Sequence, residues 1–171
     1  MKTRHLIPLL AGLALAAGSA SPVAAAPAKI PENVTVVIQE PDRFTDVREN
    51  QSEFVSEYFL GELRAYIQQT ASPRLPAGQK LTVTLLDVDL AGETRFNSPD
   101  HIRVMSATTM PRIHLKFQVV GTDGKVVKEG ERKLTDLDYQ NQLRLPGYDE
   151  PLYYDKLLLK RWVQDEFRAK A

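Results

Sequence analysis

The sequence predicts an α+β fold: a single two-layer domain with a mixed, mainly antiparallel sheet of about four to five strands and two amphipathic helices on one face. Three observations carry the prediction. Leu81 to Leu90 is the richest aliphatic and β-branched run after residue 30, set between Pro76-Ala77-Gly78 and Ala91-Gly92. Val55, Phe59, Leu63 and Tyr66 recur at helical spacing. Ile113, Leu115, Phe117 and Val119 alternate with His114, Lys116 and Gln118 just before the turn Gly121-Thr122-Asp123-Gly124.

In chain order, Val34 to Ile38 reads as a strand, apolar at nearly every residue, which Pro41 stops. Residues 42–49 are a polar loop whose Phe44 tucks into the core edge. Asn50, with Glu53 three residues on, reads as the cap of the first helix. Its inward stripe is Val55, Phe59, Leu63 and Tyr66, widened by Leu60 and Ile67, and Ser72-Pro73 ends it. Strand, helix, strand is the order of a crossover within one sheet.

The run from Leu81 to Leu90 is expected to be an internal strand, and its alternation changes phase. Leu81, Val83 and Leu85 share one parity, whereas Leu86, Val88 and Leu90 share the other. A strand's side-chain period is two, so one core face requires an extra residue, a bulge, near Leu85 and Leu86. Beyond it, Asp87 and Asp89 point away from the apolar face together.

Residues 91–100 are expected to be a loop and Ile102 to Met105 a short strand. The hairpin's second arm, Lys125 to Leu134, is charged and broken by Gly130, a composition that blunts a sheet edge. Asp149 or Glu150 is expected to start the last helix with Pro151 in its first turn. Leu152, Leu159, Val163 and Phe167 form its inward stripe, flanked by Leu158 and Trp162, and Lys160, Arg161, Arg168 and Lys170 place positive charge near its C-terminal end.

The first residues predict export. Lys2, Arg4 and His5 precede a 13-residue apolar run, Leu6 to Gly18, and a small-residue zone to Ala28. Those zones are those of a signal peptide over residues 1–25, cut after Ala25 or Ala28; a spanning helix needs ~20 apolar residues. No later run is long enough to span a membrane, so the mature domain, residues 33–169, is expected to be soluble and periplasmic. The chain has no cysteine among its 171 residues, which excludes disulfides, thiolate chemistry and a cysteine-borne lipid anchor. A domain of ~150 residues buries roughly 70% of its unfolded surface, enough to hold without staples. Lys+Arg and Asp+Glu number 22 each, and removal of Lys2 and Arg4 leaves 20 against 22. Without a basic excess, nucleic acid is not the expected partner.

Candidate site residues fall in two groups. Asp87 and Asp89 share one strand face, and with Arg95, Arg103 and Arg112 they could form a charge network at one sheet end, a pocket for an anion or peptide carboxylate or, at the Asp pair, for a divalent ion. The bland reading is surface ion pairing worth ~0 to 1 kcal/mol per exposed pair. Asp136 and Asp138 repeat the D-x-D spacing, whose usual role is in turns. Tyr148, Tyr153 and Tyr154 at the start of the last helix, with Trp162, could form an aromatic contact patch, though core packing of such rings is the commoner use. Chemistry has little to work with. His101 and His114 are the histidines left after the leader, Ser98-Asp100-His101 lacks the G-x-S-x-G turn of a hydrolase, and phosphate-loop, dinucleotide and H-E-x-x-H motifs are absent. No metal or other cofactor is expected.

Several blocks together resemble a known family. They are Val34-Thr35-Val36 with Pro41 to Asp46, Leu75-Pro76-Ala77-Gly78-Gln79-Lys80-Leu81, Asp87-Val88-Asp89-Leu90-Ala91-Gly92, Pro111-Arg112-Ile113 and Leu134-Thr135-Asp136. The chain is similar to a proteobacterial exported family of unknown function, the domain of unknown function numbered 3016. The resemblance spans essentially the whole mature chain and implies a small periplasmic α+β protein with no assigned activity. The expectation is a non-catalytic binding or interaction module of the cell envelope, acting through a sheet edge or the tyrosine patch on an envelope protein. The alternatives are a small-molecule or divalent-ion binder using Asp87, Asp89 and Arg112, and, third, a hydrolase.

Overall fold

A computed structural model describes residues 31–48, 54–94, 103–142 and 150–168. The expected signal peptide, the cap Asn50 with Glu53, and Arg95, Ser98, Asp100, His101, Ile102, Tyr148, Asp149 and Lys170 lie outside the described residues. Among the described residues, four strands form a mixed sheet in the order β1 (Val34–Ile38), β2 (Lys80–Asp89), β5 (Arg112–Val120), β6 (Val126–Thr135). β3 (Glu93–Thr94) and β4 (Arg103–Val104) pair as a separate ribbon. The β3 arm falls where a plain loop was expected.

β1 runs parallel to β2, and the chain between them carries helix α1 (Glu57–Ala71), the expected crossover. β2 is internal, as its composition predicts. Leu85 pairs with Leu115 and Asp87 with His114, leaving Leu86 as the extra residue at the predicted bulge. Val88 and Leu90 are thereby returned to the core face, both fully buried. The β5–β6 hairpin closes through the Gly121 N–H to the Lys125 carbonyl, 2.8 Å. β6 is an edge strand, mostly exposed. At Gly130 a Cβ would stand 3.1 Å from the Phe117 ring, so the gap in this arm makes room for a core aromatic.

α1 begins seven residues after the predicted cap. Ser56 is the N-cap, its Oγ accepting from the Phe59 N–H at 3.2 Å. The helix starts late because the preceding chain is used elsewhere: Val55 bridges Arg48, and the Ser56 N–H donates to the Val47 carbonyl at 2.9 Å. Its buried stripe is Leu60, Leu63, Ile67 and Ala71. Val55, Phe59 and Tyr66, predicted at its centre, pack at its margin.

α2 (Tyr153–Glu166) also starts later than predicted, because Leu152 holds a left-handed conformation at φ 57°. Leu158, Leu159, Trp162 and Val163 face the core, and Leu152 and Phe167 pack at its edge. Trp162, Phe117 and Phe167 meet edge-to-face with centroids 5.8 to 5.9 Å apart. The predicted basic C-terminus is corrected: the last turn holds no basic residue. It holds Glu166, which pairs with Lys128 at 2.8 Å and Arg132 at 2.9 Å on β6. These two bonds oppose its partial burial and hold the carboxyl below its usual range.

Candidate functional site

The bulge in β2 sets the site. It turns Asp87 and Asp89 outward at the C-terminal end of the strand, where the segment after β1 comes back alongside. Both Asp87 oxygens are engaged there: Oδ1 accepts from the Thr45 N–H at 2.7 Å and Oδ2 from Thr45 Oγ1 at 2.9 Å. The next residue, Asp46, is stitched to the strand by its N–H to the Val88 carbonyl, 2.9 Å, and its carbonyl to the Leu90 N–H, 3.1 Å.

Arg103, in β4, crosses behind this end with its side chain only 7% exposed. Nε donates to the Ala91 carbonyl at 2.9 Å, and Nη2 donates to the carbonyls of Leu90, 3.1 Å, and Gly92, 2.5 Å, and to Asp46 Oδ2, 2.5 Å. Its remaining nitrogen, Nη1, is buried with no hydrogen-bond partner. The guanidinium therefore clamps the chain turn after β2, and Gly92 makes the turn possible. It sits at φ 75°, and a Cβ there would lie 2.9 Å from the Val104 carbonyl oxygen. The expectation of surface ion pairing fails for Arg103, because its side chain is buried against the turn after β2 and binds the carbonyls of Leu90, Ala91 and Gly92.

Arg112 behaves as a surface group. It is half exposed and donates to Asp89 Oδ2 at 2.9 Å. Burial raises the Asp89 carboxyl above its usual range; the Arg112 contact pulls the other way, and Asp46 and Asp87 nearby add to the rise.

The tyrosines join the same end through α2. Asp155, in its first turn, is buried, and its Oδ1 accepts from the Ala91 N–H at 3.0 Å. This docks Tyr153 and Tyr154 beside the turn that Arg103 clamps. Tyr154 meets Tyr153 and Tyr139 edge-to-face, with centroids 5.2 and 4.9 Å away, and the buried Tyr139 donates its hydroxyl to the Ser106 carbonyl at 2.7 Å. Burial pushes the Asp155 carboxyl up to about 7, against the pull of the Ala91 N–H and the Arg103 charge. Asp136, just after β6, accepts from Arg161 of α2 and from Gln142, each at 2.5 Å, and from the Asp138 N–H at 3.1 Å. That is the turn role expected of the second D-x-D.

Asp87, Asp89, Arg103 and Arg112 are thus gathered where β2 ends and β5 begins, and Tyr153 and Tyr154 are brought to that end by Asp155. Thr45, Asp46, Tyr139 and Asp155 complete the arrangement and escape a reading by motif. Among the described residues, no group of three or more His, Asp or Glu is placed to hold a metal ion. His114 bonds Glu131 at 2.6 Å on the open sheet face, and the Ser106 hydroxyl sits among Thr108 and Thr109. An open trough of about 510 Å³ on that face is lined by Thr82, Thr84, Lys116, Gln118, Glu129 and Glu131, none of them a predicted site residue. The site offers a braced surface with partly exposed charge and phenol rings packed edge-to-face.

Fold and site together define a two-layer α+β domain with one sheet end built on a clamped, partly buried charge network. Residues 32–165 match the family described as Protein of unknown function (DUF3016), and the chain belongs to that family. Comparison with curated proteins gives no match. Among solved structures the chain is similar to a PelC variant dodecamer from Paraburkholderia phytofirmans, at 12% identity and a TM-score of 0.39, covering 82% of this chain and 89% of that one. No helix among the described residues is long and apolar enough to cross a membrane.

Proposed function

We propose that this chain is a non-catalytic binding module of the cell envelope. It is exported by its first 25 or 28 residues and engages a protein partner in the periplasm through the end of the sheet that carries Asp87, Asp89, Arg112, Tyr153 and Tyr154. The observation supporting this is the convergence itself. Asp87, Asp89 and Arg112 stand at the end of the sheet to which the start of α2, with Tyr153 and Tyr154, is tied by the Asp155 to Ala91 hydrogen bond. Tyrosine and arginine are the side chains on which protein interfaces concentrate their energy, and here Arg112 is half exposed and Tyr153 and Tyr154 are partly exposed. The double engagement of Asp87 by Thr45 favours a protein partner over a divalent ion, since neither oxygen of that carboxylate is free of a donor.

The test is capture from envelope extract with the purified chain as bait. Arg112→Ala and Tyr153→Ala should each weaken retention of the same partner at least tenfold, a loss of ~1.4 kcal/mol, while Lys116→Ala on the open face leaves it unchanged. Equal retention by all three variants would overturn the proposal. A rise in melting temperature with millimolar Mg2+ or Ca2+ that Asp87→Asn abolishes would support the ion-binding reading in its place.

A further inference from the structure

The two edges of the sheet differ in kind. β6 is charged along its length and broken by Gly130, a composition that keeps an edge from pairing. β1, at the opposite edge, reads Val34-Thr35-Val36-Val37-Ile38, with no charge, glycine or proline and an unbroken register on β2. Its outer row of backbone groups is open. The Leu81 N–H donates to the Asn33 carbonyl at 2.9 Å, and the Gln39 N–H donates to the Leu85 carbonyl at 3.1 Å. In a parallel ladder alternate residues bond to the same neighbour, so Asn33, Thr35, Val37 and Gln39 serve β2, while Val34, Val36 and Ile38 turn their N–H and C=O groups outward. Among the described residues one bond reaches that outer row, from Gln68 Nε2 to the Val34 carbonyl at 3.1 Å. Further along, the same edge is covered. Asp46 bridges Asp89 of β2, and beside it Arg48 bridges Val55 and the Val47 carbonyl accepts from the Ser56 N–H.

We propose that β1 pairs with β1 of a second copy of this chain, antiparallel about a two-fold axis at Val36, so that two four-stranded sheets join as one of eight strands.

The register in which the two strands overlap along their whole length is self-complementary. Val36 meets Val36 of the copy, Val34 meets Ile38 on the helix-covered face, and Thr35 meets Val37 on the open face, so β-branched side chains face one another throughout. The outward residues are those that come opposite each other, and each facing pair exchanges two backbone bonds; the Val34 carbonyl has a second lone pair for its bond beside Gln68. Val37, 43% exposed, gains a neighbouring strand. Glu40, which would face Glu32 of the copy, is turned off the strand at φ 53° and held by Arg43 at 2.7 Å. The charged β6 edge offers no such match, so the contact closes as a two-fold pair and does not run on into a filament. With five residues from each copy in the ladder, the interface falls at the small, transient end of the range, and pairing appears at high concentration.

The dimer goes beyond the partner surface and leaves it open. β1 runs parallel to β2, so the axis sends the Asp89 ends of the two β2 strands in opposite directions. The paired form is a two-headed version of the module, with one candidate surface at each end.

The test takes the chain as purified from the envelope fraction. Sedimentation velocity from about 10 μM to about 1 mM should show monomer giving way to dimer and nothing larger. Over the same range the amides of Val34, Val36 and Ile38 should gain exchange protection at least threefold, while those of Thr35 and Val37, bonded to β2, stay constant. Thr35 and Val37 are exposed on the open face, so their side chains can change without touching the core. Thr35→Lys with Val37→Lys should weaken self-association at least tenfold, and so should Thr35→Glu with Val37→Glu, because like charges then face each other at both pairs. An equimolar mixture of the two variants should recover the dimer as a heterodimer. A chain that stays monomeric at the highest concentration, a dimer that neither double variant weakens, or Val36 protection that does not change with concentration would overturn the proposal. Partner capture reads different residues, Arg112 and Tyr153, so either experiment can fail without the other.

Discussion

Raising the pH from 5 to 7.5 should destabilise this domain, against the trend set by paired surface carboxylates, and Asp155→Asn should remove most of the effect. The Asp155 carboxyl is fully buried and lifted from 3.8 to about 7. Between those values the native state holds a proton that the unfolded chain has lost, so stability falls as pH rises through the window and levels off above it. The gap of about three pH units corresponds to about 4 kcal/mol, of which about 2 to 3 kcal/mol falls between pH 5 and 7.5. Other groups act elsewhere. Glu166, held below its usual range, contributes stability that is lost only as pH falls below 4.5. Lys156, held above its usual range by Glu62 and Glu150 against its burial, is stabilising until pH rises past 10.5. Asp89, raised by burial, acts in the same direction as Asp155 from 3.8 upward. The assay is urea unfolding at several pH values, read by fluorescence of the one tryptophan, Trp162, which is 5% exposed. The stability difference between Asp155→Asn and the parent should shift in the variant's favour by about 2 to 3 kcal/mol across the range. A difference that stays constant with pH would refute the reasoning.

Three further outcomes are expected. Gly92→Ala should cost about 2 to 3 kcal/mol, because φ is 75° and the new Cβ would meet Met105 Sδ at 2.8 Å; the same urea titration checks it. Lys156→Met should cost about 1 to 3 kcal/mol, less than a fully buried pair would lose, since Glu62 and Glu150 keep 33% of their side chains in solvent; the loss should shrink when both glutamates are also made Gln. N-terminal sequencing of the protein from an envelope fraction should read from Ala26 or Lys29, and an intact Met1 there would contradict export with cleavage.

The parts of the fold that were legible in the sequence are those where a local pattern meets no competitor. The phase change at Leu85 and Leu86 locates the bulge, because two halves of one strand must share a core face, and the same reasoning turns Asp87 and Asp89 outward together. The hairpin and the charged edge follow from alternation and glycine. The helix starts were not legible: Val55 is claimed by Arg48 and Ser56 by Val47, pairings that a capping pattern at Asn50 cannot anticipate, and Leu152 adopts a positive φ that no sequence preference favours. The site was legible in its outward residues alone. Thr45 reaches Asp87 across 42 residues and Asp155 reaches Ala91 across 64, and a charged residue in an amphipathic helix carries no mark of burial. Arg103 shares the parity of no stripe; only the turn after β2, whose carbonyls it binds, makes a surface cation into a clamp.

Photo-crosslinking in living cells tests the proposed surface most directly, with a benzophenone amino acid placed in turn at Tyr153, Tyr154, Arg112, Lys116, Gln118 and Val127. The account predicts one recurrent adduct from the first three positions and none from the last three, which sit further along β5 and towards the far end of the hairpin. Adducts from Lys116 or Gln118 with none from Tyr153, Tyr154 and Arg112 would contradict it.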